Sequence, residues 1–292
     1  MEYITRKVPS DFKLIDASDL HYDAFNCHRT GLKKMINKCL DYNQSGVPCY
    51  VNLKGDLIEG IIPGDKRFNS AIHDAKFPTP QDACDALVEE LWSIRKYILC
   101  IGMGNHEYSL INITNFSKYL ADKLEVPYGA YCYITEFIDE DTGDTLFKTY
   151  SNHGSGKLPS GAKDHLQRDA NRKAHIKRRL ISTRIADCVY MSYGHTHQLY
   201  VIPPTFDMEK NISTSSDELH QHAISPVKQN SSMIPPDQRW YANTGGFLKL
   251  YTPSGLGLVS YAEKGMLEPT DLGWVEIDVM AGEIVNVEAI KL

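Results

Sequence analysis

The sequence predicts an α/β fold. In the first half, short apolar runs ending in Gly, Asp or His alternate with amphipathic helical stretches, the pattern of strand–helix–strand units. The second half is richer in strand-like segments, which predicts a second sheet. The first run, residues 12–17 (FKLIDA), leads into SDLHYD, and residues 47–53 (VPCYVNL) lead into KGDLIEG. Residues 97–101 (YILCI) precede GMGNHEY, and residues 186–193 (ADCVYMSY) precede GHTHQ. Between them, residues 30–42 place Leu32, Met35, Ile36 and Leu40 on one helical face. Residues 80–95 do the same with Ala83, Leu87, Leu91 and Ile94, and residues 115–124 form a shorter third helix. Residues 128–137 and 145–150 read as one strand each around the turn DEDTGD. Val275, Ile277 and Val279 alternate with Glu276 and Asp278, and after Gly282 come Ile284, Val287 and Ala289. This C-terminal hairpin is expected to complete the second sheet. Residues 204–239 are polar and aperiodic, a long loop or small insertion. No repeat of fixed period is present.

At 292 residues, 42% hydrophobic and 23% charged, the chain suits one globular domain over 1–292 with a large core, and disorder is excluded for most of it. No stretch approaches the ~18 apolar residues of a membrane span. The N-terminal MEYITRKVPSDFKLID lacks the apolar core of a secretion signal. Seven cysteines, an odd number without a CxxC pair, argue against a disulfide framework or thiolate site. The expectation is a cytoplasmic protein with no membrane partner. The net charge of −6 does not announce a nucleic-acid binder.

The polar ends of the apolar runs share one composition. In order they are Asp19-Leu20-His21, Gly55-Asp56 with Glu59, Gly104-Asn105-His106-Glu107, and Gly194-His195-Thr196-His197; Asn152-His153-Gly154 follows the 145–150 strand. Each piece alone is ordinary turn chemistry. Together they follow strand after strand, and ligands of open α/β sheets bind outside the carboxyl ends of strands. Carboxylate and imidazole donors without thiolate suit Mn, Fe, Zn or Ni. More than four donors argue for two ions sharing a carboxylate, an arrangement suited to displacement at phosphorus.

With these five blocks the chain resembles the calcineurin-like metallophosphoesterases, whose pattern is D-x-H, GD-x-x-D, GNH-D/E, a lone His usually followed by Gly, and GH-x-H. The resemblance runs from Asp19 to His197, extends to Asn243-Thr244-Gly245, and is nearest to small bacterial and bacteriophage members. It implies a four-layer α/β/β/α sandwich of two mixed sheets flanked by helices. It implies two divalent ions, manganese first, with iron, zinc and nickel as alternatives. One ion would take Asp19, His21 and His197, the other Asn105, His153 and His195, with Asp56 bridging. A water activated between them would attack phosphorus, and His106 would assist the leaving group. The family's second acid is Glu59 here, one methylene longer, and in relatives that acid orients the GNH histidine.

The expected activity is hydrolysis of a phosphodiester, in a nucleotide or nucleic acid. Alternatives are a phosphomonoesterase or pyrophosphohydrolase acting on a small metabolite, or a non-catalytic metal-binding scaffold. Residues 163–184 hold eight Lys/Arg against two Asp. As a helix, they would align Arg168, Arg172 and Arg179 with His165 and His175, a face able to track phosphates. The bland alternative packs Leu166, Ala170, Ala174 and Ile181 on the sheet and leaves the charges solvated. His28, Arg29 and Lys157 are further candidates for substrate contact, and Tyr108 for a wall of the site. His220 and His222 are candidate lid contacts.

Overall fold

The computed structural model describes residues 1–65, 68, 76–205, 210–215, 218–223, 226–251, 263, 265, 266 and 268–292. The elements are β1 (Glu2–Val8), β2 (Phe12–Ala17), α1 (Arg29–Gln44), β3 (Cys49–Lys54) and α2 (Pro80–Leu91), which continues as a 3₁₀ turn over Trp92–Tyr97. Then come β4 (Ile98–Gly102), α3 (Asn105–Ser109), α4 (Phe116–Leu124), β5 (Tyr128–Ala130), β6 (Cys132–Asp139), β7 (Thr145–Asn152) and α5 (His165–Ile181). The remainder is β8 (Tyr190–Tyr193), β9 (Leu199–Ile202), β10 (Lys210–Ser215), β11 (Glu218–Ala223), β12 (Trp240–Thr244), β13 (Gly273–Met280) and β14 (Glu283–Lys291).

Two mixed six-stranded sheets form, in the orders β14-β13-β2-β3-β4-β5 and β1-β6-β7-β8-β12-β9. In the first, β2 to β5 run parallel and the β13–β14 hairpin adds antiparallel to β2. Strand alternation sorts side chains into layers. Ile15, Ala17, Val51, Leu53 and Ile101 face one apolar cluster with Leu32 and Met35 of α1, Leu87 of α2 and Leu120 of α4. Phe12, Leu14 and Leu99 face the other way and meet Phe137, Phe147 and Tyr190 of the second sheet. Behind that sheet, Ile176 and Leu180 of α5 pack on Met191 and Tyr241. The molecule is therefore two mixed sheets packed face to face, with helices on both outer faces, as expected.

Two expectations are corrected. The C-terminal hairpin joins the first sheet, because Val275, Ile277 and Val279 complete the layer between the sheets beside β2. The 128–137 stretch is two strands in different sheets, broken at Ala130, whose φ is +53. Within 204–239, read as a long loop or small insertion, β10 and β11 pair antiparallel. The side chains of His220 and His222 there, and His73, lie outside the described residues. None of the described helices is long and apolar enough to cross a membrane.

Candidate metal centre

The chain leaves the C-terminal ends of β2, β3, β4, β7 and β8 toward one point. The connecting loops are zipped by backbone bonds: Asp19 N–H donates to Gly55 O, His21 N–H to Asp56 O, Gly194 N–H to His153 O, and Phe247 N–H to Asp19 O, all at 2.9–3.0 Å. Five residues there hold left-handed backbone: Asp19 (φ 55), His21 (45), Asp56 (48), His195 (67) and His197 (54). Such conformations cost of order 1–3 kcal/mol each in a residue with a Cβ and cluster at functional sites. The glycines of the GD, GN and GH pairs serve close approach. A Cβ on Gly104 would overlap the Asp56 carboxylate, and one on Gly194 would overlap Ser18 Oγ.

Asp19, His21, Asp56 and His153 are buried, while Asn105, His195 and His197 are part-exposed. Their donor atoms face one another. His153 Nε2 is 3.1 Å from Asp56 Oδ2 and 3.0 Å from Asn105 Oδ1, and His195 Nδ1 is 2.5 Å from Asn105 Oδ1. On the other side, Asp19 Oδ1 is 3.5 Å from His197 Nε2 and 4.0 Å from His21 Nε2, and Asp56 Oδ2 is 3.9 Å from His21 Nε2. Asp56 Oδ2 belongs to both groups. The sets Asp19–His21–His197, Asp56–His153–His195 and His21–Glu59–His106 each bring three donors within 4.8 Å.

Donor chemistry tests whether metal ions fit. His153 Nδ1 lies 2.9 Å from the Lys54 carbonyl, which only accepts, so that nitrogen carries the proton. In the neutral ring, Nε2 then points a lone pair at two oxygen acceptors about 3 Å away. A divalent ion with ~2.1 Å bonds to such donors satisfies all three at once. His21 Nε2, fully buried, has no hydrogen-bond partner. The residues fit a pair of divalent ions sharing Asp56.

The charges agree. Burial lowers the affinity of His21 for a proton, but Glu59, Asp56 and Asp19 reverse this and raise its pKa to about 10. At His153, burial is likewise outweighed, chiefly by Asp56, and the pKa rises to about 9. Burial dominates at His197 and holds it near 4, and lowers His195 too. For Glu59, burial opposes ionisation, but His21 and His106 pull the carboxyl down to about 2. The pocket thus demands positive charge, which protons supply when no ion is present.

His106 sits beside this cluster, its ring edge-on to His21 at 4.7 Å. Its backbone N–H donates to Asp56 Oδ1 (2.9 Å), and its Nδ1 is 2.7 Å from the carbonyl of Glu59. The Glu59 carboxylate lies farther away, 3.7 Å from His106 Nδ1 and 2.5 Å from His21 Nδ1. The pairing of this acid with the GNH histidine in relatives is thus rearranged here: the main chain of Glu59 holds the His106 ring, and the carboxylate lies nearer His21.

The other candidates make contacts of their own. His28 caps α1, its Nδ1 accepting from Gly31 N–H at 2.8 Å. Arg29 donates to Tyr22 O (3.1 Å) and lies over the Tyr22 and Phe77 rings. Arg172 pairs with Glu268, and Arg179 binds the Ser155 carbonyl and covers the Tyr193 ring. The basic face of α5 is therefore turned inward, with Ile176 and Leu180 between its arginines, while Leu166 is 69% exposed. Of the apolar face expected for this helix, Ile181 does pack toward the sheet, but Leu166, Ala170 and Ala174 are exposed, and long stems with paired heads cover the sheet in their place. Arg168 is half-buried on the same helix, and Lys157 is exposed beyond His153. Tyr108 is 60% exposed, with Tyr131 between it and His153 at ring distances of 6.3 and 5.6 Å.

Sequence reasoning missed two buried acids. Glu107 accepts from the N–H groups of Asp56, Leu57, Ile58 and Gly104 (2.6–3.2 Å) and so clamps two ligand loops together. Asp23 accepts from Glu59 and Gly60 N–H (2.5 and 3.0 Å). Both stand inside the motif blocks as acids next to ligand positions. Asn243 does support the GHTH turn, donating to Thr196 Oγ1 at 2.8 Å.

Neither a protein-family model nor a curated protein sequence matches the chain. Among solved structures it is similar to a sulfate thiohydrolase of Thermus thermophilus, with TM-score 0.40 and 12% identity over 98% of this chain and 57% of that one. It is also similar to a metallophosphoesterase of Sphaerobacter thermophilus, with TM-score 0.38 and 13% identity over 96% and 88%. A 5'-nucleotidase of Candida albicans gives TM-score 0.36 and 11% identity over 83% and 46%. The chain thus spans just over half of the first and under half of the third.

Proposed function

We propose that the chain is a metal-dependent phosphoric ester hydrolase acting on a phosphodiester. The observation that carries this is the convergence of seven N and O donors from five loops, with lone pairs turned on one another and Asp56 common to both halves. Asp19, His21 and His197 would hold one divalent ion, Asn105, His153 and His195 the other, and Asp56 both. When bound, two such ions lower the pKa of water toward neutrality and stabilise charge on the phosphoryl oxygens. The Lys54 carbonyl fixes the tautomer of His153. Glu107 and the zipped loops hold Asp56 and Asn105 in place before substrate arrives, which is the preorganisation electrostatic catalysis requires. His106, anchored through Nδ1 to the Glu59 carbonyl, presents Nε2; as an imidazolium it donates from that atom to the departing oxygen.

Two divalent ions would bring four positive charges against the carboxylates of Asp19, Asp56 and Glu59, an excess that suits an anionic phosphoric ester. The test is the rate on bis-p-nitrophenyl phosphate and on p-nitrophenyl phosphate, with chelated protein reloaded with Mn, Fe, Zn, Ni or Mg one at a time. Metal-dependent cleavage with the diester preferred is expected. A monoester preference would replace the substrate class, and no cleavage of either with two ions bound would favour a scaffold.

A further inference from the structure

Glu59 is turned away from the histidine that the resemblance pairs it with. Its backbone is fixed by two bonds to the buried Asp23 carboxylate, through Glu59 N–H and Gly60 N–H. From that anchored position the length of the side chain decides what the carboxylate touches. Glu59 Oε2 lies 2.5 Å from His21 Nδ1 and 3.7 Å from His106 Nδ1. Both Glu59 Oε2 and His21 Nδ1 are buried, and neither has a hydrogen-bond partner, so each is the nearest group able to compensate the other. His106 does not compete, because its Nδ1 is taken by the Glu59 carbonyl at 2.7 Å. The opposite nitrogen of His21, Nε2, faces Asp19 Oδ1 and Asp56 Oδ2.

We infer that Glu59 is a positioning residue for His21: its carboxylate holds the proton on Nδ1 and thereby turns the Nε2 lone pair toward the Asp19 and Asp56 oxygens. An imidazole ligand backed by a carboxylate is oriented and made more basic, and loss of such a partner typically weakens metal binding by about 10–100-fold. One residue thus sets both rings, His106 through its carbonyl and His21 through its side chain. A shorter acid at 59, anchored at the same backbone, would fall short of His21. This inference rests on the two-ion reading of the site.

The experiment measures Mn affinity of the full chain by competition with a chromophoric chelator, for wild type, Glu59→Gln and Glu59→Asp. The ring ¹⁵N shifts of His21 in wild-type protein loaded with diamagnetic Zn are read alongside. Wild type should bind two ions. Each variant should lose about 10–100-fold in affinity for one ion and little for the other, with Glu59→Asp failing although it keeps the charge. The His21 shifts should show a protonated Nδ1 and a ligated Nε2. Unchanged affinities in Glu59→Asp with a reduced kcat, or a ligated Nδ1 in wild type, would overturn the role. Wild type binding fewer than two ions would instead refute the two-ion reading. Should either variant fail to fold, the wild-type tautomer still decides.

Discussion

Asp56 and His153 show how single residues become interpretable once their partners are known. Each occupies a turn pair common in any protein, and only their 3.1 Å approach, with the Lys54 carbonyl held by Nδ1, sets His153 Nε2 against the carboxylate. Two expectations belong at this scale. First, His21 and His153 have folded-state values near 10 and 9, above the ordinary 6.5. Their protonation therefore stabilises the metal-free fold fully below about pH 6.5, and that contribution is lost as pH rises through 9 and 10. Glu59, held near 2, contributes above about pH 4.5, and its contribution is lost as pH falls toward 2. His197, held near 4, costs stability as pH falls below about 6.5, so the Tm of chelated protein should peak near pH 6.5 and decline into alkali. Added Mn should reduce that alkaline decline, because ligation requires the deprotonated rings. A Tm of the chelated protein that rises from pH 6.5 to 10 would contradict the assignment. Second, His106→Ala should retain both ions and lose about 10²–10⁴-fold in kcat, read by elemental analysis and diester turnover.

At the scale of elements, the ligand loops were legible because each motif ends a strand whose apolar run is plain in the sequence. The strands at 12–17 and 145–150, and the helices beginning near 29 and 80, fall where periodicity puts them. What periodicity could not show is which sheet a strand joins. The hairpin of β13 and β14 alternates correctly, yet its pairing with β2 depends on Phe12 and Leu14 offering an apolar surface 260 residues earlier. The inward turn of the basic face of α5 was equally hidden, since Arg172 and Arg179 are half-buried and find their partners, Glu268 and the Ser155 carbonyl, outside the helix. Gly104→Ala tests the close packing of these loops. The added methyl must displace the Asp56 carboxylate, so a loss of about 1–3 kcal/mol in denaturant unfolding is expected, with weakened metal uptake. Full retention of both would mean that the β3 and β4 loops are not seated as described.

For the whole molecule, the two sheets are joined beneath the site by a buried polar cluster that no motif announced. Lys54 Nζ donates to Asp16 Oδ2 and Ser192 Oγ, both at 2.7 Å, and Tyr190 and Asn52 also donate to the Asp16 carboxylate. Burial lowers the pKa of Lys54 despite Asp16. Asp16 was legible within the apolar run 12–17 and Lys54 only as the residue after the run 47–53, but not as a pair, because they sit on neighbouring strands and face the second sheet. Lys54→Met leaves the Asp16 charge unpaired and should cost about 3–5 kcal/mol in urea unfolding; adding Asp16→Asn should recover part of it. A single variant as stable as wild type would show that the pair does not join the sheets. Because Lys54 is also the residue whose carbonyl holds His153, this core and the candidate metal centre are directly connected.

The central claim is that these loops build one site for two divalent ions. The most direct measurement is the number of Mn ions bound per chain, by equilibrium dialysis of chelated protein followed by elemental analysis, for wild type and for Asp56→Asn. Two ions per chain in wild type, with at least one lost or weakened more than tenfold in Asp56→Asn, is the expected result. Fewer than two in wild type, or two retained at undiminished affinity in Asp56→Asn, would contradict it.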